Sequence, residues 1–481
     1  MKLNIKLINI ILSISLIISL FSTSISYSAY TNAEYDLLPG YDHVTVNNVT
    51  YGIYDNYAIA VGCNKNATKI KIASKVQSVP VTKIYAHAFF QRNKLVSVNI
   101  PDSVKSVGEY CFSYCKSLKS VRLSKNMTYI SEGMFSSCKS LKSIYLPKSV
   151  YNICEDAFQD CSKLSKINLE NIKSIQGCAF YYCKSLKKVK FGNRLTMLGY
   201  NVFENSGLTS IYIPKNVKYI CTDVGLRNGF YGGDMFGLMS SFSRCKDMKS
   251  ITVSKSNKYY SSKDGVLYNK KKTILLQYPC NGKRNFIVPK SVIKIGLGAF
   301  GYSKIKSVKL GNRVKTVDIC AFAYCNSLKT ITLDKNVKTI SDGVFTNCKS
   351  LNRVYMYKGI RKIGDSAFNN CVNLSKGASG IKIPDSVKSI GFCAFYNCKN
   401  IKKIILSKKL TTIGDCAFFE CKNAKEITVY KSTKKIGDHA FGFIHSKNLE
   451  LEKVKGFTIT GTKGSAAEKY AKKNRFKFKA L

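Results

Sequence analysis

The chain has 481 residues, of which 45% are hydrophobic and 22% charged, so it can bury a substantial core and general disorder is excluded. Lysine and arginine number 77 against 28 aspartate and glutamate residues, which gives a formal charge of +49. A charge of this size points to an anionic partner, and the class of that partner depends on where the chain resides.

The first 29 residues have the layout of a secretory signal peptide. Lys2 and Lys6 form a basic start, residues 7–21 are mainly apolar, and a small, polar segment follows. An uncleaved membrane anchor is disfavoured because this apolar stretch falls short of the roughly 20 residues that a spanning helix needs. We therefore expect a secreted, surface-exposed or wall-associated protein with no membrane span after cleavage. Such a protein meets wall polymers, matrix or glycans, so no nucleic-acid partner is expected.

A phenylalanine recurs along the chain with a usual period of 22–23 residues. Ile, Val or Leu stands five residues before thirteen of these fourteen anchors, and Ala directly precedes nine. An L-x-x-I-x-L segment begins six residues after most anchors, which is the pattern of a short strand with its apolar residues inward. No unit of this size can bury its own apolar side, so the period predicts a solenoid of stacked units. The anchors are Phe89, Phe112, Phe135, Phe158, Phe180, Phe203, Phe242, Phe300, Phe322, Phe345, Phe368, Phe395, Phe418 and Phe441.

Segments such as IKIPDSVKSIGFCAFYNCKNIKKIIL (381–406) resemble the BspA-like leucine-rich repeat family of secreted and surface proteins. The resemblance covers residues 50–481. It implies a leucine-rich repeat solenoid of fourteen units, built mainly of short β-strands with short helical or 3-10 turns and capped at both ends. Because members of the family are described mainly as adhesins and protein-binding surface molecules, it also implies binding rather than catalysis.

The expected organisation is a signal peptide, an N-terminal cap region, the solenoid and a C-terminal cap, over residues 1–29, 30–83, 84–449 and 450–481. Insertions interrupt the solenoid near 221–241 and 254–289, and DGVLYNKKKTILLQYP (264–279) resembles the inserted hairpin of the family. In the C-terminal cap, Ser465 and Glu468 predict a capping box for a helix that would cover the last rung.

The nineteen cysteines follow the repeat. Four lie two residues before an anchor, at Cys178, Cys320, Cys393 and Cys416, and ten lie three residues after one. A zinc site is disfavoured because none of the four histidines lies beside a C-x4-C pair, whereas disulfides between adjacent rungs remain open. We favour a buried ladder of reduced thiols for the larger group and a more exposed position for the smaller one. The larger group is Cys115, Cys138, Cys161, Cys183, Cys245, Cys325, Cys348, Cys371, Cys398 and Cys421.

Motifs of known chemistry are missing from the sequence. It contains no G-x-S-x-G, H-E-x-x-H, Walker loop or dinucleotide fingerprint. His87 and His439 occupy the same repeat position as Cys178 and are interpreted as tolerated polar residues at the edge of the repeat. We therefore predict a protein that is not an enzyme and holds no cofactor and no metal.

Lysine dominates the outward positions of the strand segments. Adjacent rungs would place these side chains about 5 Å apart in files on one continuous sheet face, inside the Debye length of roughly 8 Å. They form either a solubilising surface or a ligand-binding face with interspersed tyrosines, and we favour the latter for an extracellular protein, a glycan or an anionic wall polymer. The candidate residues are Lys119, Arg122, Lys142, Tyr145, Lys187, Lys188, Lys190, Tyr212, Lys249, Lys306, Lys309, Lys329, Arg353, Tyr355, Lys402 and Lys403.

The Gly-rich insertion near 221–241 supplies a second candidate, a surface loop that either contacts the ligand or has no role. Its apolar residues are Phe230, Tyr231, Met235 and Phe236. We predict a non-catalytic secreted or cell-surface protein that mediates adhesion by binding protein or glycan. The alternative is a wall-associated structural scaffold held by charge to anionic envelope polymers.

Overall fold

A computed structural model describes residues 42–221 and 240–481. Across these two ranges the chain is a β-solenoid of stacked units with a single α-helix, Ala466–Lys473, as the fourteen-unit repeat pattern predicted. The expected signal peptide and the candidate loop residues Phe230, Tyr231, Met235 and Phe236 lie outside the described residues.

One set of strands, all but the first of which follow an anchor phenylalanine, pairs in parallel and forms sheet A. Each predicted inward residue is apolar and faces the core, as Ile331 does at 2% exposure, and its neighbours along the strand face outward. The pairing is interrupted, so sheet A consists of five hydrogen-bonded segments. Its strands are Lys69–Lys71, Ser97–Asn99, Ser120–Arg122, Ser143–Ile144, Lys166–Ile167, Ser210–Ile213, Ser250–Val253, Asn285–Ile287, Ser307–Lys309, Thr330–Thr332, Arg353–Tyr355, Ile381–Lys382, Lys403–Ile405, Glu426–Val429, Thr458–Gly461 and Lys477–Ala480.

A second set of strands, which the sequence pattern did not predict, precedes the anchors and forms sheet B. Most are two residues long and end on the buried apolar residue five positions before the anchor, as in the parallel pair Ile130 and Ile153. These strands are Val79–Ile84, Ser106–Val107, Tyr129–Ile130, Asn152–Ile153, Ser174–Ile175, Met197–Leu198, Tyr219–Ile220, Ile274–Gln277, Lys294–Ile295, Thr316–Val317, Thr339–Ile340, Lys362–Ile363, Ser389–Ile390, Thr412–Ile413 and Lys435–Ile436.

The anchor segments are stacked turns, where short helical or 3-10 turns were expected. In most units the residues two before and two after the anchor have left-handed backbones, as at Tyr110 (φ 51°) and Tyr114 (φ 60°) around Phe112. A right-handed helix cannot continue through such residues. The turns instead bond to the next rung, as when the Phe112 N–H donates to the Met134 carbonyl at 3.0 Å.

The anchor rings are buried and stack along the solenoid. Phe158 and Phe180 have centroids 5.4 Å apart and planes within 2° of parallel, and the same arrangement recurs along both halves of the chain. The core divides into two clusters that meet at the inserted hairpin, since Leu267 packs in the first cluster and Tyr268 in the second.

The hairpin prediction at 264–279 is confirmed. Tyr260–Lys263 pairs antiparallel with Val266–Asn269, which pairs antiparallel with Ile274–Gln277, and that strand then joins sheet B. The N-terminal region adds the antiparallel strands His43–Val46, Val49–Ile53, Ala58–Cys63 and Lys75–Val76, and the last units add Phe443–His445 and Leu451–Lys453.

The C-terminal helix is present, but the expected capping box is wrong. The Ser465 hydroxyl makes no capping hydrogen bond, and Glu468 Oε2 accepts from the Gly464 N–H at 2.6 Å. The helix packs against neighbouring strands, and Lys477–Ala480 adds a further rung that sequence reasoning missed.

The ten cysteines three residues after an anchor are buried free thiols. Each thiol donates to the carbonyl of the anchor phenylalanine one rung earlier, as Cys138 Sγ does to Phe112 at 3.1 Å. The burial predicted for this group is confirmed. A thiol at this position therefore fills space and also satisfies a main-chain acceptor in the core.

The expectation of greater exposure for the four cysteines before the anchors is wrong for three of them. Cys320, Cys393 and Cys416 are buried, and Cys178 is half-buried. Cys320 packs with Ala323 of its own turn and against Leu297 and Tyr302 of the preceding rung.

Candidate ligand-binding face

The sixteen candidate face residues all lie on or beside the outward side of sheet A. Fifteen are exposed, and Lys403 is half-buried. They fall into files because the rungs pair in register: Lys309 lies beside Thr332, which lies beside Tyr355. The structure therefore brings these residues onto one side of the solenoid.

Backbone hydrogen bonds between neighbouring rungs align the lysines at the second position of the strand segment. The Lys329 N–H donates to the Lys306 carbonyl at 3.2 Å, and the Lys306 N–H donates to the Arg284 carbonyl at 2.6 Å. Arg284, in a unit that the inserted hairpin obscures, therefore belongs to this file and was missed. The motif RNFIVP, an alternating strand pattern before Pro289, is the signal that could have identified it.

The face is interrupted, which corrects the expectation of one continuous sheet face. Sheet A loses its ladder at four places, including the stretch between Lys166–Ile167 and Ser210–Ile213, where Leu169–Phe191 is an isolated bridge. The charged residues on either side of a break are thus not held by a shared ladder.

Few of the face cations are neutralised. Arg122 binds both carboxylate oxygens of Asp102 at 3.1 and 3.2 Å, and Lys187 lies 3.4 Å from Asp247. Lys403 lies 2.6 Å from Glu426. Within residues 42–221 and 240–481, the other candidate lysines and Arg353 have no carboxylate within 4.0 Å.

The Arg122–Asp102 pair is an exposed contact of the kind that contributes little to stability. The Lys125 backbone N–H, and secondarily the Arg122 guanidinium, hold the pKa of Asp102 below its usual value. Asp102 therefore stays ionised and offsets one cation at this end of the face.

The three candidate tyrosines are exposed among these cations. Tyr145 is 68% exposed, Tyr212 53% and Tyr355 47%. The Arg353 guanidinium lies 5.8 Å from the Tyr355 ring centroid, a cation–π contact at the surface. Rings and ammonium groups side by side suit a ligand with both an anionic group and an apolar face.

Away from the face, Glu204, Arg244 and Tyr302 form a partly buried charge cluster. Arg244 Nε lies 3.4 Å from Glu204, and the guanidinium stacks 4.5 Å from the Tyr302 ring centroid. Burial raises the pKa of Glu204 to about 7, although Arg244 opposes the shift. This cluster ties the rung of Phe203 to the rung of Phe300, so we assign it a structural role.

Neither a metal centre nor a membrane span is found in the part of the chain that the structure describes. No group of three or more His, Cys, Asp or Glu residues there is arranged to hold a metal ion. The helix found there is too short to cross a membrane.

The part of the chain that contains the repeat matches a known protein family and several solved structures. The family of the BspA type leucine rich repeat region matches residues 60–171, 160–224, 276–379 and 375–462, with six copies. A leucine rich cell surface protein from Faecalibacterium prausnitzii A2-165 is 25% identical, with a TM-score of 0.59 over 85% of this chain and 97% of that one.

Two further crystal structures share the fold. A leucine-rich repeat protein from Bacteroides ovatus is 23% identical, with a TM-score of 0.54 over 82% of this chain and 99% of that one. Another from Eubacterium ventriosum is 22% identical, with a TM-score of 0.51 over 78% and 94%. A comparison with curated protein sequences gave no match.

Proposed function

The chain belongs to the BspA-type leucine-rich repeat family, and we propose that it is an exported, non-catalytic protein that binds an anionic macromolecule through sheet A. The outward residues of sheet A form the binding face in this proposal. The partner is an extracellular protein, a glycan or a wall polymer.

The observation that carries the proposal is the stack of cations without acidic partners. Like charges one rung apart repel each other, and screening at physiological salt is incomplete over this distance. A polyanion that spans several rungs would relieve the repulsion in all of them together. Lys306, Lys309 and Lys329, on neighbouring rungs, are representative of these cations.

Export is the second part of the proposal and rests on the N-terminal 29 residues and on similarity. The Faecalibacterium prausnitzii relative is described as a cell surface protein. The formal charge of the full sequence is +49, and residues 1–29 contribute only Lys2 and Lys6 to it. An exported chain this basic encounters anionic glycans and wall polymers before any other polyanion.

Charge reversal on the face tests the proposal. We expect Lys187→Glu/Lys188→Glu/Lys190→Glu to weaken binding to immobilised heparin at 0.15 M salt by more than about tenfold, because each basic group near an anionic surface contributes about 1 kcal/mol. Binding of the unmodified protein should be lost at about 1 M salt, where the Debye length is roughly 3 Å.

A matched triple on the sheet B side is the control. Lys358→Glu/Arg361→Glu/Lys362→Glu changes the net charge equally at exposed positions, and we expect it to weaken binding by less than about threefold. Equal losses in both triples would mean that net charge alone drives binding, as in the scaffold alternative. If deletion of residues 224–238 abolished binding while the face triple retained it, the site would lie in the insertion.

A further inference from the structure

Sheet A opens into a groove of about 700 Å³ in the first half of the solenoid. Three successive rungs line it, through residues 143–145, 165–168, 170 and 188–190. The groove lies within the candidate face and contains Tyr145, Lys188 and Lys190.

The groove exists because two neighbouring rungs are joined only at its ends. The Ser185 N–H donates to the Ser162 carbonyl at 3.1 Å at one end, and the Leu169–Phe191 bridge closes the other. Between these two points, within this described stretch, no further backbone hydrogen bond joins the two rungs.

The closed end of the groove is tight, and the first two of its three rungs are firmly joined. A Cβ atom at Gly192 would lie 1.9 Å from the Glu170 carbonyl oxygen, so these rungs are in close contact there. The first two rungs stay joined beyond their paired strands, because the Leu146 N–H donates to Asn168 Oδ1 at 2.8 Å and the Asn168 side-chain amide donates to the Leu146 carbonyl at 2.9 Å.

The groove presents one aromatic ring and several charged side chains to a ligand. Tyr145 is the most exposed tyrosine of the described residues, at 68%. Lys166, Lys188 and Lys190 are exposed and face one carboxylate, that of Glu170, so the lining carries three positive charges against one negative. None of these four charged groups has an ion-pair partner within 4.0 Å in the described part of the chain.

We propose that this groove is a carbohydrate subsite that takes a sugar bearing a carboxylate or sulfate group. The apolar side of the sugar ring rests on Tyr145, and its anionic group accepts charge-assisted hydrogen bonds from Lys188 and Lys190. The inference rests on the proposed function, because it names the ligand class of the same face and one place where that ligand is recognised.

The size and charge of the groove both support an acidic sugar. A site of 300–1,000 Å³ is typical for a small ligand, so 700 Å³ suits one or two sugar rings. The Glu170 carboxylate can accept hydrogen bonds from sugar hydroxyls, and it repels a second anionic group at the rim.

Paired variants, one in the groove and one beside sheet B, test the inference by calorimetric titration with a heparin tetrasaccharide, a galacturonate tetrasaccharide and poly-glutamate. We expect Tyr145→Ala to weaken binding of at least one tetrasaccharide by about fivefold or more, the value of a surface aromatic contact. Its control, Tyr129→Ala, removes an exposed ring from the sheet B strand Tyr129–Ile130 and should change binding by less than twofold. The same contrast is expected between Lys188→Gln/Lys190→Gln and Lys315→Gln/Lys338→Gln, which replaces two exposed lysines beside sheet B.

The outcomes separate this inference from the proposed function. Equal losses for Tyr145→Ala and Tyr129→Ala, or binding of poly-glutamate without either tetrasaccharide, would overturn the sugar subsite while leaving an anion-binding face. The relative affinity of the two tetrasaccharides identifies sulfate or carboxylate as the recognised group. Retention of heparin by the Lys187→Glu/Lys188→Glu/Lys190→Glu triple would overturn the proposed function itself.

Discussion

One phenylalanine and one thiol hold most units to their neighbours. The phenylalanine stacks on the next ring, and the thiol bonds to the main chain of the anchor one rung earlier, as Cys138 does to Phe112. The sequence predicts that these cysteines are buried, because they recur at one position of the repeat. It does not predict the hydrogen bond, which depends on the orientation of a carbonyl in the preceding turn.

Burial makes these thiols unreactive, and the prediction is testable by alkylation. Burial raises the pKa of Cys115, Cys245 and Cys421 to about 12, so almost no thiolate forms at pH 8. We expect iodoacetamide at pH 8 to leave the ten ladder cysteines unmodified in native protein and to modify all of them after denaturation. Half-buried Cys154 is the internal control and should react first.

Mass spectrometry of the peptides gives the result for each cysteine separately. Modification of the ladder cysteines at the rate of Cys154, or their recovery in disulfides from non-reduced protein, would contradict the buried-thiol ladder.

The repeat pattern in the sequence predicts some strands and turns of the structure and misses others. Most L-x-x-I-x-L segments are correctly predicted as strands because their alternation follows burial, but residues 186–191 form only an isolated bridge. The sheet B strands were missed because two residues are too few to show a period. The left-handed turn positions hold Tyr, Ser, Asp, Cys and Asn in different units, so no residue type marks them. The Ser465 and Glu468 motif predicts the helix but not its bonding, since Glu468 reaches Gly464 instead.

The inserted hairpin joins the two halves of the hydrophobic core. Substitutions of two adjacent residues in this hairpin should therefore destabilise opposite halves of the protein. Leu267 and Tyr268 are both buried, the first in the N-terminal cluster and the second in the C-terminal cluster. We expect Leu267→Ala to destabilise the protein by about 2–5 kcal/mol, as large-to-small core changes do. Amide hydrogen exchange should then quicken mainly in rungs before Ser254.

Tyr268→Ala is the matched variant, and it should quicken exchange mainly in rungs after Pro289. Hydrogen exchange read by mass spectrometry resolves the two halves. Identical exchange patterns in both variants would show that the hairpin does not divide the core in this way.

At the scale of the whole molecule, the repeat period of the anchor phenylalanines predicts the solenoid. The register of the rungs then aligns the candidate residues on one side of it. Fourteen anchors, most of them 22–23 residues apart, are enough to predict a solenoid, and lysines at fixed repeat positions are enough to predict files. The breaks in sheet A were not predicted, because lateral pairing depends on how neighbouring rungs approach each other. The groove beside Tyr145 arises from such a break, so no motif of its own marks it.

Lysine footprinting tests most directly that one face binds an anionic partner. Native protein is acetylated with and without saturating heparin, and each lysine is quantified by mass spectrometry. We expect protection of the sheet A lysines, above all Lys187, Lys188 and Lys190, and unchanged reactivity of the exposed lysines beside sheet B, Lys105, Lys315, Lys338 and Lys388. Equal protection on both sides, or stronger protection beside sheet B, would contradict the assignment of the binding face.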